Sequence, residues 1–348
     1  MPVRPGLRYA LRVAATLALS AGGGFLAQLL NVPAGWIAGG LLAVAVASLA
    51  GFNTEFPRRL HAPVFLLLGI YAGTGVTQET IHQMQTWPAS FAVLGVSVAG
   101  VIAGSYWWLQ ARHGWERNTA LLASLPGALS MVVAAAEVLK ADLKKVAIAQ
   151  SLRVLILVES IPLVALLIGH PPGTPTLAER PVAGPLDVGI FVAAGFSASL
   201  VMRWLRVPGA WVVGGLLASA ALLLTGTLDV QLPTFVIVPA TIALAAITGS
   251  RFRPGDLVVL PRIAAAALGA FAIAVAVSAL GALTVTLLFG VNIIQTLLAF
   301  APGALEALTV LAFQMNIDPA YVAAHHVVRF FALVIAVPIL ARWLARRA

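Results

Sequence analysis

Long apolar runs decide what this chain can fold into. The first half holds six, at roughly 7–30, 36–51, 62–77, 88–110, 118–139 and 146–168. The second half holds six more, at roughly 186–202, 211–226, 234–250, 261–289, 293–313 and 322–343. Several reach or approach the roughly 20 residues that carry a helix across the hydrocarbon core of a bilayer. Soluble domains carry roughly 25% charged residues, whereas this chain is 61% hydrophobic and only 9% charged. Such a chain cannot hide its apolar surface from water, so lipid is its solvent. The alternating ten-residue segments of a transmembrane β-barrel are absent from the sequence. The expected fold class is an all-α polytopic membrane protein. A net charge of +9 would point to nucleic acid in a soluble protein, but here the basic residues stand between apolar runs, where they read as topology signals. The lack of cysteine excludes disulfides, thiol nucleophiles, thiolate zinc sites and cysteine-ligated clusters.

The sequence repeats itself. Val32-Pro33-Ala34-Gly35-Trp36 and Gly39-Gly40-Leu41-Leu42-Ala43 return 175 residues later as Val207-Pro208-Gly209-Ala210-Trp211 and Gly214-Gly215-Leu216-Leu217-Ala218. Pro63 and Pro239, Gly73 and Gly249, Pro126 and Pro302, Asp142 and Asp318, Arg153 and Arg329, and Pro162 and Pro338 all keep a spacing of 176. This reads as a tandem duplication, with a first membrane repeat over 1–169, a Pro/Gly-rich linker over 170–185 and a second repeat over 186–348. The start, Arg4 to Gly24, has the layout of a secretory signal. Its match to 186–205 makes it a first membrane helix instead.

Two runs are broken in the middle, by Leu125-Pro126-Gly127-Ala128-Leu129 and by Ala301-Pro302-Gly303-Ala304-Leu305. If each broken segment enters and leaves on one side, 18 of the 21 Lys and Arg fall on the cytoplasmic side, with only Arg180 outside and Arg153 and Arg329 within apolar runs. If both cross fully, the split is 11 inside against 8 outside. The positive-inside rule therefore predicts ten crossings, two re-entrant helical hairpins, inverted halves and both termini cytoplasmic; the alternative is twelve full crossings with proline kinks. About eight residues precede Pro126 and about twelve follow Gly127, giving half-helices of roughly 12 and 18 Å, each about half of a ~30 Å core.

Broken helices at mid-membrane in inverted repeats are a mark of secondary transporters. Helix N-termini at Gly127 and Gly303 would present free N–H groups and positive dipole ends to an anion. Arg153 and Arg329 are ionisable groups inside membrane helices, functional candidates by default; equally, they could cap hairpin carbonyls, pair with Asp142 or Asp318, or snorkel to the interface. Glu306, with Ser130 in its place in the first half, is a candidate proton or sodium site or a stabilising N-terminal carboxylate. His325 and His326 stand where the first half has Ala149 and Gln150. They are candidate proton relays, although adjacent helical residues face different sides and make poor joint metal ligands. Glu159 could pair with an arginine, and Glu137 reads as interfacial. Trp36 and Trp211 read as interfacial anchors.

Pro126-Gly127 with Asp142, Gln150 and Arg153, and Pro302-Gly303 with Glu306, Asp318, His325-His326 and Arg329, resemble the AbrB-duplication family of bacterial integral membrane proteins. The resemblance covers essentially the whole chain. It departs at Ala128 and Ala304, where the family has glycine, and at Ala307, where it has methionine. It implies an inner-membrane, multi-pass protein, and it carries two labels, ammonia monooxygenase and regulator of gene expression. A copper oxygenase would want convergent histidines, and a transcription factor a DNA-reading domain; the sequence offers neither. The expectation is a non-enzymatic transporter of a small organic anion or metabolite, without cofactor or metal, coupled to protons or sodium. Its site would comprise Pro126, Gly127, Ser130, Arg153, Pro302, Gly303, Glu306, His325, His326 and Arg329. The expected partners are the lipid bilayer and a small-molecule or ion substrate, with no direct nucleic acid; a homodimer is left open. A membrane sensor or indirect regulator of gene expression without transport is the first alternative, and a membrane monooxygenase, as one label suggests, the second.

Overall fold

The computed structural model describes residues 6–126, 132, 135–136, 139–167, 180–303 and 305–345. Among these the chain is helical, with a lone bridge between Val182 and Gln231. The helices are α1 (Leu7–Leu29), α2 (Gly35–Leu49), α3 (His61–Gly73), α4 (Gln78–Gln83), α5 (Trp87–Trp107), α6 (Arg117–Ser124), α7 (Leu143–Leu167), α8 (Pro185–Trp204), α9 (Ala210–Leu224), α10 (Thr234–Gly249), α11 (Asp256–Phe289), α12 (Ile293–Phe300), α13 (Leu305–Gln314) and α14 (Pro319–Ala345). Among the described residues, six helical stretches are long and apolar enough to cross a bilayer: Leu7–Leu29, Gln78–Arg112, Leu143–Val164, Pro185–Trp204, Asp256–Phe289 and Pro319–Ala336. This is a helical membrane protein.

Local structure recurs with the sequence spacing. Helices α2 and α9 share their bounds at an offset of 175, and α6 and α12 at 176. The left-handed residues follow suit. Asn31, Ala34, Gly51, Gly114 and Lys140 are matched by Arg206, Gly209, Gly226, Gly290 and Asn316. The same backbone turn thus survives a change of residue type: Ala34 holds the left-handed φ of 53° that opens α2, a conformation that costs an L-residue energy and costs glycine, as at Gly209, almost nothing.

The chain divides into two compact units, each built from both halves of the sequence. The first comprises 1–77, 158–257 and 309–319, and the second 78–157, 258–308 and 320–348. In the first unit, α3 packs on α9 and α10 on α2, with α1 against α2 and α8 against α9. Small residues permit this closeness, the usual device where lipid removes the hydrophobic drive to associate. A Cβ added at Gly69 would overlap the Val212 carbonyl oxygen, and one at Gly215 would lie 2.7 Å from the Leu66 carbonyl oxygen.

In the second unit, α5 and α11 run antiparallel. Added Cβ atoms at Gly100 and Gly104 would meet Val277 at 3.0 Å and Ile273 at 2.8 Å. One turn further along, Ser105 Oγ donates to Ala270 O at 3.1 Å and Trp108 Nε1 to Ala266 O at 3.2 Å. The short helices α6 and α12 each begin on a capping side chain. Glu116 accepts from the Asn118 and Thr119 amides, and Asn292 from the Ile294 and Gln295 amides. Replacing either cap by alanine is expected to cost about 1 kcal/mol, read as a lowered melting temperature of the detergent-solubilised protein. The two caps should differ in pH response. Partial burial pushes the Glu116 carboxyl up, but the donors at Asn118 and Thr119 outweigh it and hold the group below its usual 4.5. Its contribution is therefore present at neutral pH and is lost as pH falls below 4.5 through the lowered folded value, whereas the amide of Asn292 does not titrate.

Candidate functional site

The residue before a proline is driven out of the α region. Leu125, before Pro126, is extended at φ −66° and ψ 125°, and Ala301, before Pro302, at φ −52° and ψ 132°. Helices α6 and α12 therefore end there, within apolar sequence, and leave carbonyls without intrahelical partners. Buried carbonyls at membrane depth need donors from the protein itself.

The next long helix in each half supplies them. On α7, Arg153 Nη1 donates to Leu125 O at 3.1 Å, while Gln150 Nε2 donates to Leu122 O at 3.2 Å and to Leu125 O at 3.1 Å. On α14, Arg329 Nη1 donates to Ala301 O at 2.6 Å and Nη2 to Gly303 O at 2.9 Å, while His326 Nε2 meets Leu298 O at 3.1 Å. A further bond joins each pair on its own helix, from Arg153 Nη2 to Gln150 Oε1 and from Arg329 Nη2 to His326 Nδ1. Three bonds of each clamp coincide at an offset of 176: those onto Leu122 and Leu298, onto Leu125 and Ala301, and between the two side chains of each pair. The second Gln150 bond to Leu125 O and the Arg329 bond to Gly303 O have no counterpart among the described residues. Of the roles open to the arginines, the geometry selects the carbonyl cap. Asp142 pairs with Lys145 at 3.3 Å instead, and Glu159 belongs to the other unit, where its buried Oε1 accepts no hydrogen bond among the described residues.

The clamp also assigns the tautomer of His326. Leu298 O can only accept, so Nε2 carries the proton; Arg329 can only donate, so Nδ1 is bare. A neutral His326 thus reproduces the amide of Gln150, one donor to a carbonyl and one acceptor for an arginine. The substitution His326→Gln is expected to change stability by less than about 1.5 kcal/mol, in the range of conservative buried swaps. Loss of folding in His326→Gln would refute the equivalence.

His325 faces elsewhere. Its Nδ1 donates to Tyr321 O at 2.8 Å, which leaves Nε2 to accept from Ser90 Oγ at 2.7 Å; Ser90 Oγ in turn accepts from Tyr321 Oη at 2.7 Å. The resulting chain of Tyr321, Ser90 and His325 is buried and walled by Trp87, Phe91 and Phe300. Sequence reasoning passed over Ser90 and Tyr321. The available signals were the place of Tyr321 one helical turn before His325 and a hydroxyl within the apolar run of α5.

All the described site residues belong to one unit. Pro126, Pro302 and Gly303 are buried, and Glu306 sits half-buried in the first turn of α13. A Cβ at Gly303 would meet Leu308 Cδ1 at 2.7 Å and Leu157 Cδ1 at 3.1 Å. Gly127 and Ser130, together with Glu137 and Ala304, lie outside the described residues. Among the described residues, no three metal-ligating side chains converge. Neither guanidinium has a carboxylate partner among them; each is met only by neutral acceptors.

A family model described as transition state regulatory protein AbrB matches residues 36–345. The chain belongs to the AbrB family. It is 27% identical to "Putative regulator AbrB" of Escherichia coli (strain K12), over 99% of this chain and 98% of that protein. It is 24% identical to "Uncharacterized protein YhjN" of Bacillus subtilis (strain 168), over 92% and 90%. In this AbrB-family chain the matched region takes in both carbonyl clamps and the Ser90–Tyr321–His325 chain.

Proposed function

We propose that this AbrB-family protein is a secondary transporter of the bacterial inner membrane. It moves a small organic anion or metabolite, coupled to protons or sodium, through a site built around the two Pro-Gly breaks. The observation that carries the reading is the pair of guanidiniums, Arg153 and Arg329, both at least nine-tenths buried at 6% and 4% exposure. Among the described residues they are held by carbonyls and neutral side chains alone. Burying an ionised group without a counter-charge is costly, and a helix C-terminus supplies only about half a negative charge. An anionic cargo would supply the remainder. Glu306 and His325 are the groups assigned to the coupling ion.

The arrangement proposed for the membrane is ten crossings with two re-entrant hairpins, inverted halves and both termini in the cytoplasm. The distribution of basic residues supports it. So does the antiparallel packing of α5 against α11, which occupy corresponding places in the two halves: antiparallel counterparts are what inverted repeats produce. The name of the Escherichia coli relative favours a second reading, a membrane sensor that affects gene expression without transport.

Flux into proteoliposomes separates the two. A panel of carboxylates, assayed with and without imposed pH and sodium gradients, should yield gradient-driven uptake of at least one. No uptake of any compound, with a stable protein partner recovered from membranes, would favour the sensor. Labelling introduced cysteines at positions 117 and 144 from one membrane face tests the hairpin, since opposite faces would overturn it.

A further inference from the structure

The two clamps share three bonds but differ in what is left over. Arg329 and Arg153 both spend Nη1 and Nη2 on the broken helix and its neighbour. Arg153 Nε, however, is buried with no acceptor among the described residues. Arg153 also lines a cavity of about 20 Å³, together with Ser105, Ser124 and a wall made largely of alanines. All these residues belong to the same unit. The two serines are each 2% exposed. A space of this size admits about one water-sized particle, too little for a carboxylate or phosphate. Among the described residues its polar side chains are one cation and two hydroxyls, and the rest of the wall is apolar.

We propose that this cavity is a binding site for a monatomic anion of the chloride class, held by Arg153 with Ser105 and Ser124. A water molecule would satisfy the free N–H but leave the charge of Arg153 uncompensated. An ion of similar size satisfies both. The demand for negative charge is sharpened by Arg329, whose own buried cation is within electrostatic reach of Arg153. Both serine hydroxyls now donate to carbonyls, to Leu121 O at 2.7 Å and to Ala270 O at 3.1 Å. Each can rotate toward an anion, because a hydroxyl hydrogen turns to suit its partner. The ion is a resident charge partner of the Arg153 clamp and leaves the charge of Arg329 to the cargo proposed above; it stands whether or not the protein transports.

The test uses the full-length protein in detergent or nanodiscs at constant ionic strength. Chloride and bromide should raise the melting temperature relative to gluconate in a saturable way, and sulfate, too large for the cavity, should not. Crystals grown in bromide should give an anomalous peak beside Arg153 Nε. Ser124→Ala, which removes one hydroxyl without touching the clamp, should raise the bromide concentration for half effect about tenfold, the loss of one hydrogen bond to a charge. Equal stabilisation by sulfate, or no bromide peak at saturating bromide, would overturn the site and leave water as its occupant. Halide binding without any solute flux would sink the transporter reading alone. Flux without halide binding would sink this one alone.

Discussion

Arg329→Met is expected to destabilise the protein by about 3–5 kcal/mol, the usual cost of breaking a buried charged network. The loss has three parts. Ala301 O and Gly303 O lose their donors, and each unsatisfied buried group costs about 1–3 kcal/mol; the Nδ1 of His326 loses the donor it has among the described residues. The effect should appear as a large fall in melting temperature and in the yield of monodisperse protein from detergent. Arg329→Lys should recover only part of it, because a single ammonium cannot reproduce the planar fork that spans two carbonyls. If Arg329→Met folds and melts like the parent, the clamp is not what holds the broken helix.

The second large effect is expected at Gly69→Val. Two backbones meet there, so the new side chain overlaps the Val212 carbonyl oxygen and cannot be relieved by turning a flexible neighbour. Overpacking costs typically 1–3 kcal/mol, and a backbone clash with a branched side chain belongs at the upper end, about 3 kcal/mol. Heating curves of Gly69→Val beside those of Gly95→Val measure the contact, because Gly95 has open space where a Cβ would go. Equal losses at the two positions would mean that helix propensity, and not the contact, sets the cost.

Much of the second unit's site was legible in the residues. Pro126 and Pro302 announce where α6 and α12 stop, because a proline constrains its predecessor whatever the tertiary surroundings. The paired Arg153 and Arg329 announced themselves as charged groups in apolar runs. Their partners did not. The hairpin carbonyls and the aspartates Asp142 and Asp318 were all candidates, and sequence spacing says nothing about which lies closer. The resemblance drew attention to His325 and His326 as one pair. The helix turns them to different surroundings, one onto Leu298 and Arg329, the other onto Ser90 and Tyr321.

The apolar runs, the prolines and the spacing of 175 to 176 residues by themselves determined the solvent, the helical class, the breaks and the correspondence between halves. These properties depend on local sterics and on the transfer of side chains from water to lipid, which each segment carries alone. Tertiary structure decided what each buried polar group does. It made His326 the equivalent of Gln150, brought Ser90 to His325 across 235 positions, and left one buried nitrogen of Arg153 without an acceptor among the described residues while both terminal nitrogens were used. In a medium without water, a polar group takes whichever partner the packing of distant helices brings within about 3 Å, and no local pattern encodes that distance.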